Sequence, residues 1–213
     1  MPAHAENDLH GNVPDQAPVC LLVIDMINPF TFEGAQKMLP NAIAAAERIT
    51  ALKDRLKKAK LPTIYVNDNF GKWRSDFRKL VQHCLGSSCR SKSITRMLRP
   101  DEDDYFVLKP KHSGFYGTPL ELLLQYLGAR RIILTGIAGN SCVLYTASDA
   151  RMRGFDLTVP RDCVASIRRA DNAVALDHMK KMLDADTRLS KDLEMTPAHH
   201  HSPTRRSKRS VRR

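Results

Sequence analysis

The stretch RIILTGIAGNSCVLYTASDARMRGFDLTVP (131–160) decides the fold. It opens on an aliphatic, β-branched run, RIILTG (131–136), which reads as a strand. A glycine-rich turn follows, then a helix from about Cys142 to Arg153 that Gly154 closes, then a second strand, FDLTVP (155–160). Strands alternating with helical segments signal a parallel sheet covered by helices.

The same alternation continues in both directions. Upstream, VCLLVID (19–25) is apolar throughout, as a strand buried on both faces should be. A helix is expected across Pro40 to Lys60, with Ile43, Ala46, Ile49, Leu52 and Leu56 on one face and the basic residues on the other. Pro62 then opens the strand TIYVND (63–68). Residues 69–104 carry Gly71, Gly86, Ser87 and Ser88 and predict short helices with a pocket-covering loop. The strand YFVLK (105–109) leads to a helix with Thr118 as N-cap, Pro119 in the first turn, Glu121 completing a capping box and Leu120, Leu123, Leu124 and Leu127 as its buried stripe, ended by Gly128. Downstream, an amphipathic helix carries Ala173, Leu176, Met179 and Leu183. No internal repeat is present. The expected fold class is α/β: a three-layer, doubly wound, mostly parallel sheet of five to six strands flanked by helices.

A chain of 213 residues supports one good core. The expected organisation is a flexible N-terminal extension (1–17), one domain (18–190) and a disordered basic tail (191–213). The formal net charge is +11, but Arg205, Arg206, Lys208, Arg209, Arg212 and Arg213 carry more than half of it, so the basic character is largely terminal. That tail predicts a solubilising extension, with nucleic-acid contact through it as the alternative. Five cysteines is an odd number and the N-terminus has no apolar core preceded by positive charge, so reduced thiols and a cytoplasmic setting are expected. The longest apolar run, Val19 to Ile24, is far too short to cross a membrane.

In open parallel sheets ligands bind beyond the carboxyl ends of the strands. Asp25 ends the first strand, Lys109 ends the third, and Cys142 starts the helix after the fourth, which brings a carboxylate, an ammonium and a thiol to one sheet edge. Each has an ordinary structural reading as well: a turn cap, a solvated lysine, a packed cysteine. Together they fit nucleophilic chemistry. Lys109 and the helix N-terminus would stabilise a thiolate, and Asp25 would accept the thiol proton and pass it to a leaving group. The turn with Gly136, Ala138 and Gly139 exposes backbone N–H groups that can hold an oxyanion.

Three blocks, VIDMINPF with Asp25, VLKPKHSGFYGT with Lys109, and GIAGNSCVLYTASDARMRGFDLTVPRDCVAS with Cys142, resemble the signature blocks of isochorismatase-like cysteine hydrolases, the superfamily of nicotinamidases and N-carbamoylsarcosine and ureidoacrylate amidohydrolases. The resemblance covers about residues 18–185. It implies catalytic Asp25, Lys109 and Cys142, with Lys109 rather than Lys111 because the family lysine lies four residues before the serine of the turn, here Ser113. It also implies a cis peptide between Ile137 and Ala138 that aims the amides of Ala138 and Cys142 at the oxyanion. Attack on an amide-like carbonyl, release of an amine and hydrolysis of a thioester would follow. A vinyl ether hydrolase of the isochorismatase type is an alternative, and the resemblance further implies a dimer or tetramer acting on a small molecule, with no cofactor.

Two departures bear on substrate. Nicotinamidases carry metal-binding histidines after the second strand, where this chain reads NDNFGKW (67–73), so a metal of that type is not expected. Gly139 and Asn140 replace the family's usual Thr-Asp and remove a carboxylate. Phe30, Trp73, Phe115 and Tyr116 are candidate walls of the substrate pocket, and Asn69 and Arg74 candidate polar contacts. His83, Cys84 and Cys89 form only a weak metal-ligand pattern. A thiol redox role for Cys142 or Cys84 lacks the usual C-x-x-C spacing.

Overall fold

A computed structural model describes residues 17–195 except 72, 75 and 87. Of the expected N-terminal extension only Ala17 is described, and it is buried with its N–H donating to Leu127 O at 2.8 Å; residues 1–16 and the basic tail from residue 196 onward lie outside the described residues.

Six parallel strands form one sheet: β1 (Val19–Ile24), β2 (Thr63–Asp68), β3 (Tyr105–Lys109), β4 (Arg131–Ile137), β5 (Asp156–Thr158) and β6 (Val164–Ala165). The order is β3-β2-β1-β4-β5, with β6 pairing to the far end of β4. Alternate residues of β1 point to opposite faces, as the pleat requires. Val19, Leu21 and Val23 join one core under α1 (Ala35–Lys58), α2 (Phe77–Leu85) and α3 (Lys92–Met97). Cys20, Leu22 and Ile24 join the other, under α4 (Leu120–Tyr126), α5 (Leu144–Met152) and α6 (Arg169–Met182). The fold is therefore the expected three-layer doubly wound one. All six β1 residues are fully buried, and each large aliphatic side chain so placed contributes about 1.5–3 kcal/mol.

Several local expectations shift. The helix expected from Pro40 starts at Ala35, just after the left-handed Gly34, and carries Pro40 inside it. Helix α4 starts at Leu120; Thr118 Oγ1 does accept from Leu120 N, but Glu121 pairs with Arg153 at 2.7 Å instead of closing a capping box. On α6 the buried positions are Ala175 and Met179, whereas Ala173 is exposed. The strand expected over 155–160 is the shorter β5, with the two-residue β6 beyond it.

The packed body also runs past residue 190. A single helical turn over Ser190–Asp192 is held by Arg55, whose guanidinium donates to Ser190 O and Leu193 O at 2.6 Å each, and Leu193 is buried. Among the described residues no helix is long and apolar enough to cross a membrane.

Strand order reverses between β1 and β4: the chain moves outward through β2 and β3, then returns to the other side of β1. A crevice opens at the carboxyl ends of strands at such a reversal.

Candidate active site

Asp25 follows β1 directly, at φ 53°, a left-handed conformation that aspartate tolerates better than most residues. Its backbone N–H donates to Val66 O (2.9 Å) and its Oδ1 accepts from Asp68 N (2.7 Å), which turns the carboxylate along the strand ends toward β3. Lys109, the last residue of β3, is fully buried. Its Nζ lies 2.9 Å from Asp25 Oδ2 and 3.6 Å from Asp68 Oδ2, and donates to Cys142 Sγ at 3.5 Å and to Lys111 O at 3.2 Å. The three residues singled out from sequence thus meet at one point of the sheet edge.

Cys142 does not sit at the first turn of an α-helix. It lies inside a π-helical turn, Gly139–Val143, that precedes α5, a rare geometry enriched at functional positions. The Ile137–Ala138 peptide before it is cis. Ser141 N and Val143 N both donate to Ala138 O, at 2.9 and 3.1 Å, and Asn140 N donates to Ser166 Oγ at 3.2 Å. Behind the turn Ser166 Oγ donates to Asn172 Oδ1 (2.9 Å), and Asn172 Nδ2 donates to Val164 O (3.3 Å). A Cβ at Gly139 would fall 2.1 Å from Asn172 Oδ1, so only glycine lets the carboxamide approach this closely.

Burial pushes the Cys142 thiol up to about 12, the adjacent Asp25 carboxylate pushes the same way, and Lys109 offsets them only in part. Burial and Asp25 thus favour the protonated sulfur, and Lys109 favours the thiolate. Burial likewise raises Asp25 above the ordinary carboxylate value, against the pull of Lys109. The carboxylate is accordingly a better proton acceptor than one in water. For Lys109 burial opposes the charge, but Asp25, Cys142 and Asp68 together outweigh it and its pKa rises.

Two residues that sequence reasoning missed complete the cluster. Asp68 ends β2 and would have emerged from the same strand-end rule that picked Asp25 and Lys109. His112 sits in the loop after β3, exposed, with Nδ1 3.9 Å from Cys142 Sγ and its ring stacked on Tyr145 at 5.6 Å and 19°. The available signal was helical spacing: Cys142, Tyr145, Thr146 and Asp149 fall at i, i+3, i+4 and i+7 on one face. That face holds the loop. Ser113 Oγ donates to Asp149, Gly114 N donates to Thr146 Oγ1 at 2.9 Å, and Thr146 Oγ1 donates to Cys142 O at 2.6 Å.

The expected pocket residues scatter. Phe30 is fully buried in the α1-side core, and Phe115 is buried in the α4-side core against Phe155 and under Arg153. Asn69 is buried, with its N–H on Lys109 O and its Oδ1 accepting from Gly71 N. Trp73 is 85 % exposed, and Arg74 and Tyr116 are exposed too. Cys84 and Cys89 interact side chain to side chain, but they form no ligand group with His83. Among the described residues the one group of potential metal ligands close together is Asp101, Asp103 and Asp104, at the opposite end of β3, where Lys53 and Lys57 already pair with Asp104 and Asp101. Cys84 is fully buried and its thiol is pushed up to about 12, the wrong direction for a redox-active sulfur.

The chain is similar to known proteins over most of its length. The protein "Uncharacterized isochorismatase family protein YaaI" of Bacillus subtilis is 43 % identical over 171 residues, 80 % of this chain and 93 % of its own length. N-carbamoylsarcosine amidase from Thermoplasma acidophilum superposes with a TM-score of 0.66 at 28 % identity, over 83 % of this chain and 98 % of its own. The nicotinamidase SaPncA from Staphylococcus aureus, at 21 % identity and a TM-score of 0.61 over 81 % of this chain and 98 % of its own, shares the fold. The family model described as "Isochorismatase domain" matches residues 19–188, and the chain belongs to the isochorismatase family.

Proposed function

We propose that this protein is a cysteine hydrolase that cleaves a C–N bond of a small amide, ureido or imide compound through a thioester on Cys142. The observation that carries the reading is the buried Lys109 ammonium lying 2.9 Å from Asp25 and 3.5 Å from Cys142 Sγ. A relative that cleaves such a bond, N-carbamoylsarcosine amidase, shares the fold over most of both chains.

In this mechanism Asp25 takes the thiol proton as sulfur attacks the carbonyl carbon. Lys109 stabilises the sulfur while it carries negative charge, and Asp25 then protonates the departing amine. The tetrahedral oxyanion is received by backbone amides at and just before the π turn. The resemblance to isochorismatase-like hydrolases assigns the N–H groups of Ala138 and Cys142 as its donors. Since burial and Asp25 favour the protonated sulfur, proton transfer and attack are coupled.

The test is ammonia release from a panel of small amides and ureides. Cys142→Ser should abolish turnover of whichever compound the wild type hydrolyses. Unchanged hydrolysis in that variant would remove the nucleophile from the mechanism.

A further inference from the structure

Ser166 and Asn172, which brace the π turn, also form part of the wall of a cavity of about 330 Å³. Asp25, Lys109 and Cys142 are not among its lining residues. Part of its surface is small and apolar, with Ala45, Val164 and Ala165 buried there. Its charge is one-sided. Arg48 comes from α1, Arg161 from the loop between β5 and β6, and Arg169 from the first residue of α6, so three separate elements bring a guanidinium to one space.

Like charges around one cavity repel each other unless something neutralises them. Among the described residues none of these three guanidiniums forms a salt bridge, whereas Arg168, next in sequence to Arg169, pairs with Asp171 at 2.6 Å. Asp162 is the one acid on the wall, and its carboxylate is engaged elsewhere: Oδ1 accepts from Ser190 N and Oδ2 from Ser190 Oγ, both at 2.8 Å. Arg169 is oriented without being neutralised. Its Nε donates to Asn41 Oδ1 (3.1 Å), and Asn41 Nδ2 donates to Ser166 O (3.2 Å). A neutral carboxamide on Nε leaves the terminal amino groups of Arg169 for an acceptor. Three cations against one carboxylate give the wall a surplus of two positive charges.

We infer that this cavity is a binding site for a small phosphate-bearing molecule, separate from the hydrolytic site. A phosphate monoester carries about two negative charges at neutral pH and three terminal acceptor oxygens. That charge matches the surplus on the wall, and the oxygens supply one acceptor for each guanidinium. Arginine presents its donors as a planar fork that fits phosphate geometry. A single carboxylate brings one charge and two oxygens, which leaves one of the arginines unmatched. The volume lies near the lower end of small-molecule sites, about 300–1,000 Å³, so the apolar wall receives only a compact organic body beside the phosphate. The occupant joins α1, the β5–β6 loop and α6 through their arginines. None of this depends on how Cys142 reacts.

The experiment titrates the full-length protein with inorganic phosphate at neutral pH, with sodium chloride holding the ionic strength constant, and reads both binding heat and melting temperature. Wild type should bind phosphate at a saturable site and melt at a higher temperature in its presence, because a ligand of the folded state raises apparent stability. Arg48→Gln, Arg161→Gln and Arg169→Gln should each weaken phosphate about tenfold to a hundredfold, the loss expected for charge-assisted hydrogen bonds from one guanidinium. All three arginines are exposed, so the variants should fold. Arg78→Gln, which removes an exposed arginine outside the cavity, should bind as wild type does. Malonate should bind about tenfold more weakly than phosphate, and phosphate should not block alkylation of Cys142 by iodoacetamide. Absence of saturable binding in wild type overturns the inference, as does equal binding by wild type and all three cavity variants, which would place the phosphate elsewhere on the chain. Malonate binding as tight as phosphate defeats the phosphate assignment, and protection of Cys142 in step with phosphate binding would put the anion in the hydrolytic site instead.

Discussion

Replacing Asp25 by asparagine and Lys109 by methionine should move the reactivity of the thiol in opposite directions while lowering hydrolysis in both cases. The Asp25 carboxylate helps to keep the proton on Cys142, and Lys109 works against it. Two unit charges 3.5 Å apart, the Lys109–Sγ distance, interact by about 5 kcal/mol at an effective dielectric near 20. With Cys142 only partly buried, about half of that survives, close to two pKa units or a hundredfold in thiolate population. Iodoacetamide reads that population without any knowledge of the natural substrate. Lys109→Met should alkylate at Cys142 about a hundredfold more slowly than wild type at one pH. Asp25→Asn should alkylate about tenfold to a hundredfold faster, because Lys109 then faces the sulfur unopposed.

Hydrolysis separates the two roles. Asp25→Asn should lose about a hundredfold to ten-thousandfold in kcat despite its more reactive thiol, since asparagine cannot accept the proton. Asparagine also tolerates the left-handed backbone at this position, and its side-chain oxygen can still accept from Asp68 N. Loss of the fold is therefore not the expected cause. Cys20, Cys84 and Cys163 are fully buried and Cys89 is half-buried, so peptide mapping is needed to follow Cys142 alone. If Asp25→Asn alkylates no faster than wild type, or keeps hydrolysis within tenfold, the carboxylate neither holds the thiol proton nor accepts it.

Two further outcomes follow from the packing. Burial lifts the thiols of Cys20, Cys84 and Cys163 from 9.0 to about 12, so between these values the unfolded chain has released protons that the folded chain still holds. Stability should then fall as pH rises from about 9, by about 1.4 kcal/mol per pH unit for each thiol. Thermal melts at pH 8 and about 10.5 should show this, and Cys20→Val should flatten the decline; an equal slope in that variant refutes the cause. Gly136→Ala would place its Cβ 2.0 Å from Ile24 O, a backbone atom, at φ 110°, and should cost more than about 3 kcal/mol and yield insoluble protein. Gly139→Ala meets the Asn172 side chain instead, so it should fold but lose activity. Adding Asn172→Ala should restore its melting temperature, and failure to do so would show that the clash lies elsewhere.

How much of this was legible in the sequence depended on the range of the signal. Strands such as 19–24 and 131–137 are read correctly because an uninterrupted apolar run has one good use in a two-faced core. Asp25 and Lys109 are found because they end such runs. Asp68 ends one as well, and was passed over for want of a partner visible in sequence. Strand β6 spans two residues and carries no periodicity at all. Pro40 suggests a helix start because proline favours the first turn, yet tertiary contacts of Ala35 and Met38 extend the helix backward past it. The π turn depends on Ser166 and Asn172, more than twenty residues downstream of it, which no local pattern reveals. The aromatics near the site divide between core and surface according to which way the loops turn, so Phe115 and Tyr116, adjacent in sequence, end buried and exposed.

On the proposed mechanism, the fold also explains how the nucleophile can rest safely. Strands in a sheet stand about 4.8 Å apart, so Lys109 on β3 must reach past β2 to meet Asp25 on β1, and its flexible four-carbon stem makes the span possible. Its ammonium ends with no solvent exposure, where an unpaired charge is strongly destabilising. Asp25, Asp68 and the Lys111 carbonyl make the position tenable, so the same contacts that hold the lysine in place also aim it at sulfur. The sulfur they surround is favoured in its protonated form, with its pKa pushed up to about 12. Oxidants attack thiolates, so a resting thiol resists them. A bound carbonyl changes that balance, because attack moves negative charge from sulfur to an oxygen that the turn amides can hold. In the proposed mechanism reactivity therefore depends on a carbonyl being present, and the burial that quiets the resting thiol also raises the basicity of Asp25.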